Sequence, residues 1–352
     1  MPSKRPRLSP SKIGSFFKLD DCEMYLAWEY HSDAETRAED YIDTSEYDLS
    51  SSSLSNVEFN ELSPLLREKG EEYEVAQLEA LHDSDSKFVT TEDRELDIPN
   101  RFREDWPSER LDRVERLKEI IRDFADKSIS SRYILDQAHL RGQIGAYDIG
   151  GDADIIIIEP TETGFVIDVI EIKLSGEVSV HHQAQGAIYA ILITQLLDEL
   201  DVTADNSLDR DGIQSRVVHP ANDLTADSWR TQIDPFNVEP FQTQLELKLR
   251  AGHDFDDILE TPIDEVKSWI TSRCAGCTYE PLCVSQGVSE EGLELMGFTP
   301  GTQDALNSDP LNIDELSEFY QIYEQPGSDS DPTIFSSLDS TGVIDQHDFR
   351  DA

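Results

Sequence analysis

The sequence predicts an α/β fold in which a mixed sheet is flanked by helices, and three observations support this prediction. Two strand-like runs, at 155–158 and 165–174, are rich in β-branched residues and are separated by a short turn-like segment. An amphipathic helical pattern follows directly at 181–200. Hydrophobic residues make up 38% of the 352 residues, which is enough for one substantial core.

The N-terminal region is predicted to form a helix. Ser9 is a residue type that caps helices, Pro10 suits the first turn, and apolar residues recur as far as Trp28. We therefore predict one helix within residues 1–30. The acidic, Ser-rich segment 31–61 is predicted to be a mobile insertion.

The scaffold of the core is predicted from hydrophobic periodicity. Apolar residues fall at helical spacing in 75–82 and again in 111–124, and a strand is predicted at 133–140. A further strand-like stretch at 215–219 and a helical stretch at 239–250 complete the predicted α/β domain.

The two strand-like runs are expected to pair as a hairpin. Residues 159–164 have the composition of a turn. Asp154 is expected at the mouth of the first strand, so the hairpin brings it beside Glu171 in the second. Two adjacent carboxylates repel each other, whereas a hard divalent cation such as Mg2+ or Mn2+ satisfies both.

Glu171 and Lys173 place an acid and a base on one side of the second strand. Because side chains alternate along a strand, Ile170 and Ile172 point the other way, and both charges are expected to face a cleft rather than a core. A bound metal polarises a phosphoryl oxygen, and Lys173 can orient the attacking water or neutralise charge in the transition state. This chemistry suits a metal-dependent phosphodiesterase.

Three motifs together resemble a known family. Asp154, then Glu171-Ile172-Lys173, then Gln185 and Tyr189 four residues apart on the following helix are similar to the signature of the RecB-like PD-(D/E)XK nucleases. The resemblance implies a restriction-endonuclease-like core and a metal-dependent DNA nuclease. It implies an exonuclease that acts on single-stranded DNA ends in repair, recombination or CRISPR adaptation. The implied partner protein is a helicase or a protein of CRISPR adaptation.

The resemblance also implies a role for each residue. Asp154 and Glu171 would bind the metal, with the Ile172 carbonyl as an added ligand, while Lys173 assists the water. On the following helix, Gln185 and Tyr189 would position the DNA backbone.

An upstream acid is a further candidate. Family members often add a segment resembling Gly-x-x-His-Glu, and this chain has Gly70 to Glu74 with Tyr73 in place of the histidine. Glu74 is thus a candidate metal ligand, and the alternative is an ordinary solvated helix face.

The four cysteines have the spacing of a metal site. Cys22 stands alone near the start, and Cys274, Cys277 and Cys283 are closely spaced near the other end. This pattern matches four-cysteine ligation of an iron–sulfur cluster or of Zn2+, and the acidic, cytoplasmic-looking chain argues against disulfides.

A second resemblance favours iron over zinc. CRISPR-associated and AddB-type iron–sulfur relatives place one cysteine before the nuclease core and a Cys-x2-Cys-x5-Cys group after it, in the order seen here. The resemblance implies a 4Fe-4S cluster that staples the N-terminal helix to a C-terminal helix ending near Arg273. Since metal–thiolate binding exists only in the folded arrangement, its free energy stabilises the fold.

The predicted organisation follows from these motifs. The nuclease core and cysteine cluster occupy 62–287. The pattern around Gly297 and Gly301 predicts a helix-hairpin-helix-like unit at 288–323, with a small helical cap as the alternative, and 324–352 has the composition of a disordered acidic tail.

The charge of the chain is unusual for a DNA-binding protein. It carries 29 Lys and Arg against 74 Asp and Glu, a formal net charge of -45. Such a charge repels nucleic acid in dilute salt, but in molar salt the screening length falls to roughly 3 Å. We therefore predict a protein of a halophilic archaeon, with binding to basic partners as the alternative.

The first residues of the chain are basic and include Arg5 and Arg7. This N-terminal segment is predicted to be disordered, and the alternative is that it contacts phosphate.

Two further expectations complete the interpretation. No apolar run is long enough to span a membrane and no signal-peptide core is present, so a cytoplasmic location is expected. The alternative function is a non-catalytic iron–sulfur DNA-binding or scaffold subunit of a larger DNA-processing complex, and the substitution at Tyr73 favours it mildly.

Overall fold

The computed structural model describes residues 5–34, 64–83, 85–91, 96–202, 208–222, 224–225, 229–266, 270–274 and 277–290. The chain divides into two compact units. The first comprises Met1–Asp21 and Leu62–Glu260, and the second comprises Cys22–Glu61 and Thr261–Ala352. The predicted insertion from residue 35 onward, the hairpin unit beyond Glu290 and the tail lie outside the described residues.

A six-stranded mixed sheet forms the centre of the first unit. Its strands are β1 (Ser86–Thr90), β2 (Arg103–Asp105), β3 (Arg132–Ile144), β4 (Tyr147–Pro160), β5 (Phe165–Ile172) and β6 (Leu208–Val218). The spatial order is β2-β1-β3-β4-β5-β6. β3, β4 and β5 pair antiparallel, and the pairs β1–β2, β1–β3 and β5–β6 are parallel. The predicted α/β class with a mixed sheet is confirmed.

Helices flank this sheet. In the first unit they are α1 (Pro10–Lys18), α3 (Pro64–Ala80), α4 (Arg110–Ala125), α5 (Val180–Glu199), α6 (Trp229–Gln232), α7 (Glu239–Lys248) and α8 (Asp254–Glu260). The described part of the second unit contains the helices α2 (Glu23–Tyr30) and α9 (Glu280–Glu290). The helices predicted at 111–124, 181–200 and 239–250 are confirmed within about two residues of their boundaries, and the helix predicted at 75–82 is confirmed but begins 11 residues earlier, at Pro64.

The core explains why these segments adopt these structures. Every residue of β5 is buried, so its run of β-branched side chains packs on both sides of the sheet. On one side, Leu78 of α3 and Leu81 just after its end pack with Ile155 and Ile170 of the sheet. On the other, α5 is apolar on most of its surface and packs against α1, β3, β5 and β6.

The predicted β4–β5 hairpin is confirmed. Pro160 pairs with Phe165 at its end. The turn is closed by the Thr161 N–H, which donates to the Gly164 carbonyl at 2.8 Å. The Gly164 N–H in turn donates to the Thr161 hydroxyl at 3.0 Å. This turn fixes the register of the two strands that carry the candidate site.

The other hairpin, between β3 and β4, turns at Gly145 and Ala146. Gly145 has φ +60°, a backbone conformation that residues other than glycine rarely adopt. The Ala146 N–H donates to the Leu249 carbonyl at 2.7 Å, so the turn rests on the end of α7.

The prediction of one continuous N-terminal helix is wrong. α1 ends at Lys18 and α2 begins at Glu23. Asp20 and Asp21 between them have φ of 55° and 58°, which no α-helix accommodates. Cys22 is the N-cap of α2, and its sulfur accepts a hydrogen bond from the Tyr25 N–H at 3.4 Å.

Two other sequence-based expectations are corrected. A short 3-10 turn, Ser272–Cys274, stands where a helix was expected to end near Arg273. The basic start is ordered from Arg5, since Leu8 bridges to Ile149 of β4 and the Gly150 N–H donates to the Leu8 carbonyl at 3.2 Å. Over the part of the chain that the structure describes, no helix is long and apolar enough to cross a membrane.

Candidate functional site

Strands β4 and β5 bring Asp154 and Glu171 together. The antiparallel pairing of the two strands ends at Ile155 and Ile170, and the same register continued by one residue places Asp154 opposite Glu171. The Ile172 N–H donates to Asp154 Oδ2 at 2.8 Å. Asp154 lies in the middle of the 14-residue strand β4, and its predicted place at the mouth of a shorter strand is wrong because Gly150 and Gly151 are extended and pair with β3.

Lys173 joins the two carboxylates. Its Nζ forms an ion pair with Glu171 Oε1 and lies 3.8 Å from Asp154 Oδ2. The side chains of Lys173, Asp154 and Glu171 are 27%, 13% and 0% exposed. The expectation that Glu171 faces an open cleft is therefore wrong, and solvent reaches this trio through Lys173 and Asp154.

Burial sets the electrostatics of the site. Burial and the neighbouring charge of Asp154 raise the pKa of Glu171 well above its ordinary value, and Lys173 only partly opposes this. Neither Glu171 oxygen accepts a hydrogen bond of ordinary geometry from the described residues. The pKa of Lys173 is raised by Glu171 and Asp154 even though burial opposes the shift, so the lysine is a cation at neutral pH.

Glu74 lies within electrostatic range of the site. It is half-buried on α3, and its charge contributes to the raised pKa of Lys173. The preceding Tyr73 packs on the hydrophobic core that includes Leu78 and Ile170. The tyrosine thus occupies a packing position, and the helix already runs through Gly70–Glu74 rather than beginning after it.

The backbone of Ile172 lies beside the Asp154 carboxylate. Its N–H donates to Asp154. The N–H and C=O of one residue in an extended strand point to the same neighbouring strand, whereas the next N–H, of Lys173, donates to the Val218 carbonyl of β6. The Ile172 carbonyl therefore lies on the side of the site.

Tyr189 and Gln185 come from α5. Tyr189 is 3% exposed, and its hydroxyl donates to the Asp152 carbonyl at 2.7 Å. Burial and the charges of Glu171 and Asp154 raise the pKa of this phenol, which a hydrogen bond with Gln185 only partly offsets. Tyr189 thus lies within electrostatic range of both carboxylates and is bound to the backbone of β4, and Gln185 contacts Tyr189.

Two histidines beside the site were not predicted. His181 and His182 lie in the first turn of α5, where Ser179 and His182 form a capping box. Burial and nearby lysines, among them Lys173, lower their pKa values to about 4 and about 3. The signal in the sequence was their position directly after the Glu171–Lys173 strand.

The second unit brings the four cysteines into one neighbourhood. Burial and the charges of Cys22, Cys277 and Cys274 raise the pKa of Cys283, and burial raises that of Cys22 to about 12. All four are thiols rather than disulfides. The Trp28 indole lies beside Cys283, but its N–H makes no hydrogen bond of acceptable geometry with the described residues.

The donor chemistry fits two different metals at these two places. Across the described ranges, no group of three or more His, Cys, Asp or Glu is assembled at metal-binding distances. Carboxylate and carbonyl oxygens suit Mg2+ or Mn2+, and four thiolates suit an iron–sulfur cluster or Zn2+. The buried Glu171 carboxylate, which accepts no hydrogen bond of ordinary geometry from the described residues, fits a cation. Burial favours the protonated form of the cysteines, so a metal bound there would have to displace their protons.

Comparisons with known proteins add little. No family model matches the chain, and no curated protein matches it. Five solved chains match. One of them, titled "Crystal structure of SSO0001", is 12% identical, with 62% of this chain and 96% of that chain covered, at a TM-score of 0.25. A likeness this weak carries no argument about fold or function.

Proposed function

We propose that this chain is a RecB-like, PD-(D/E)XK metal-dependent DNA nuclease. The observation that carries the proposal is the convergence of Asp154, Glu171 and Lys173 at one corner of the sheet. In this proposal it acts as an exonuclease on single-stranded ends in repair, recombination or CRISPR adaptation, in the cytoplasm of a halophilic archaeon.

The metal site would use the oxygens at this corner. Asp154 and Glu171 would hold Mg2+ or Mn2+, with the Ile172 carbonyl and Glu74 as further ligands. A bound divalent ion supplies Lewis acidity toward a phosphoryl oxygen and a water of lowered pKa. A cation also offsets the cost of a carboxylate that is fully buried beside another acid.

Lys173 acts as a cation in this proposal. Since its pKa is raised, it holds its proton and is unsuited to act as a general base. It can donate hydrogen bonds to the attacking water and offset the charge that develops on the phosphoryl group. Its partial exposure leaves it accessible to substrate.

Gln185 and Tyr189 would position both the metal site and the DNA strand. Because the Tyr189 hydroxyl binds the Asp152 carbonyl, it fixes the stretch of β4 that leads to Asp154. Gln185 hydrogen-bonds with Tyr189 and keeps the phenol in place.

The four cysteines would hold a structural 4Fe-4S cluster, with Zn2+ as the alternative. The convergence of four buried or half-buried thiols in the second unit supports this. Metal analysis of anaerobically purified protein separates the two, since a cluster gives about four iron atoms per chain.

The test of the nuclease proposal is cleavage of end-labelled single-stranded DNA in high KCl. With Mn2+ or Mg2+, we expect degradation by the wild type and a loss of about 100-fold or more in Lys173→Ala. Lys87→Ala is the matched control, because that exposed lysine lies over the Tyr133 ring instead. Equal activity in Lys173→Ala and wild type, or no cleavage with either metal, would overturn the proposal.

A non-catalytic scaffold subunit is the second candidate. The observation that favours it is Tyr73, which packs on the core where the family places a histidine. Calorimetric titration with Mn2+ separates the two functions. A nuclease should bind Mn2+ in the wild type and lose that binding in Asp154→Asn, whereas a scaffold should show no carboxylate-dependent binding.

A further inference from the structure

A cluster of basic residues gathers around the β3–β4 hairpin, close to Asp154 and Glu171. Arg7 Nη2 lies 3.3 Å from His139 Nε2, and His139 Nδ1 lies 2.6 Å from Asp152 Oδ1. Arg110, at the start of α4, places Nη2 3.3 Å from Asp152 Oδ2. Arginines are thus gathered at one place in a chain whose formal net charge is -45.

The hydrogen bonds give each ring nitrogen of His139 a partner. A guanidinium only donates and an ionised carboxylate only accepts. This geometry is satisfied when His139 Nε2 faces the Arg7 guanidinium and Nδ1 faces the Asp152 carboxylate. His139, itself 3% exposed, holds the Arg7 head in place.

Glycine at position 150 makes room for Arg7. A Cβ atom at Gly150 would lie 1.9 Å from Arg7 Nη2, so any side chain there would displace the guanidinium. Arg141 pairs directly with Gly150 in the β3–β4 register, which places it next to Arg7. Arg7, Arg110 and Arg141 are all exposed.

Mutual repulsion marks the cluster as a place for an anion. Burial and the charges of Arg141 and Arg110 lower the pKa of Arg7, and Asp148 and Asp152 only partly offset this. Three cations thus face two carboxylates. A phosphate group would complete the charge balance and match the planar fork of each guanidinium.

The cluster adjoins the proposed site of chemistry. Asp152 lies two residues before Asp154 in β4, and two residues of extended strand span about 6.6 Å. The Tyr189 hydroxyl is bound to the Asp152 carbonyl, so the same short stretch of backbone supports both places.

We propose that Arg7, Arg141 and Arg110 form a phosphate-binding subsite for the single-stranded DNA substrate. This inference rests on the proposed nuclease function and specifies where the substrate strand is held. In molar salt, exposed charges separated by more than roughly 3 Å are largely screened, so direct contacts such as these arginine forks would dominate the binding of a phosphodiester.

The test measures binding separately from cleavage. The full-length protein carrying Lys173→Ala is titrated into a fluorescein-labelled 20-nucleotide oligothymidylate, and anisotropy is followed in a series of KCl concentrations. We expect Arg7→Ala and Arg141→Ala each to weaken binding about 10-fold and to lower the salt slope by about 0.7, the value for one phosphate contact to a single strand.

Two further variants exclude a simple charge effect. Gly150→Ala keeps every charge but displaces the flexible Arg7 head, and we expect it to weaken binding as Arg7→Ala does. Arg116→Ala removes one arginine of the same unit that is paired with Glu104 and Glu119, and it should stay within about twofold of the parent protein. Thermal denaturation checks that each variant folds.

The outcomes separate the two proposals. Arginine-dependent binding in a chain that cleaves no DNA would support the subsite and overturn the nuclease. Cleavage by the wild type, with Arg7→Ala and Gly150→Ala binding as tightly as Arg116→Ala, would overturn the subsite alone. A parent protein that does not bind the oligonucleotide would also overturn the subsite.

Discussion

Two buried acids of the first unit show opposite ways of keeping a carboxylate inside a protein. Asp256 accepts four hydrogen bonds, two from Arg5, one from the Tyr147 hydroxyl and one from the Gly252 N–H, at 2.6–2.7 Å. Its pKa is lowered accordingly, chiefly by Arg5. Glu171 has its pKa raised; it forms an ion pair with Lys173 but accepts no hydrogen bond of ordinary geometry from the described residues. Asp256 is therefore a structural anchor, whereas Glu171 is suited to a cation.

Replacing Asp256 tests this assignment. We expect Asp256→Asn to lower the free energy of unfolding by about 1–2 kcal/mol at pH 7, a modest value because Arg5 is 41% exposed and solvent screens the pair. Denaturant unfolding followed by tryptophan fluorescence gives the difference. Asp254→Asn on the same helix is the control, since that acid is 53% exposed and should cost less than about 0.5 kcal/mol.

The pH dependence of this difference follows from the sign of the shift. Because the folded pKa of Asp256 is lowered, its contribution is fully present above the ordinary value of about 4 and is lost as the pH falls below it. The gap between wild type and Asp256→Asn should therefore shrink below pH 4. A gap that widens in acid would contradict the anchor role.

At the scale of elements, local pattern predicted strands and helices well where composition changes abruptly. The turn at 159–164 separates two β-branched runs, and the hairpin is confirmed. The break between α1 and α2 was missed, because apolar spacing continues through Asp20 and Asp21 and nothing local reveals their positive φ. The extension of β4 back to Tyr147 was missed too, since Gly150 and Gly151 have the composition of a turn.

The β3–β4 turn offers a test at this scale. In Gly145→Ala the new Cβ would lie 2.3 Å from the Leu249 carbonyl oxygen, at a position with φ +60°. We expect a loss of about 2–3 kcal/mol from backbone strain and overpacking, measured by thermal denaturation. Gly176→Ala, where no atom lies within 4 Å, should change stability by less than about 0.5 kcal/mol. Equal melting temperatures for the two variants would contradict the role given to this turn.

The candidate site was only partly accessible to sequence reasoning. Asp154, Glu171 and Lys173 were identified because they lie on two strands joined by a short turn. The Arg7–His139–Asp152 contacts were not, since Arg7 and His139 are 132 positions apart and only the folded chain brings them together. The complete burial of Glu171 was missed as well, because it depends on how α5 covers the sheet.

The charge of the whole molecule makes a prediction about salt. With a net charge of -45, self-repulsion destabilises the folded chain in dilute solution. We expect the screening of this repulsion by salt to stabilise the folded chain by about 2–3 kcal/mol. The melting temperature, followed by circular dichroism, should therefore rise by roughly 5–10 °C between 0.1 and 2 M KCl.

The shape of this rise identifies its cause. Most of it should occur below 1 M, because the screening length falls from about 10 Å at 0.1 M to about 3 Å at 1 M. A melting temperature that is unchanged over this range, or that rises only above 1 M, would mean that charge repulsion is not what limits stability.

Strand β2 limits how two copies of the chain can aggregate. In the described sheet it forms one edge, with only the three residues Arg103, Glu104 and Asp105. Concentrated salt removes the long-range repulsion that keeps acidic proteins apart, so molecules then collide edge to edge freely. A short edge made of charged residues is a poor template for intermolecular β-pairing. This edge of the sheet is therefore poorly suited to intermolecular pairing in concentrated salt, where the net charge no longer keeps molecules apart.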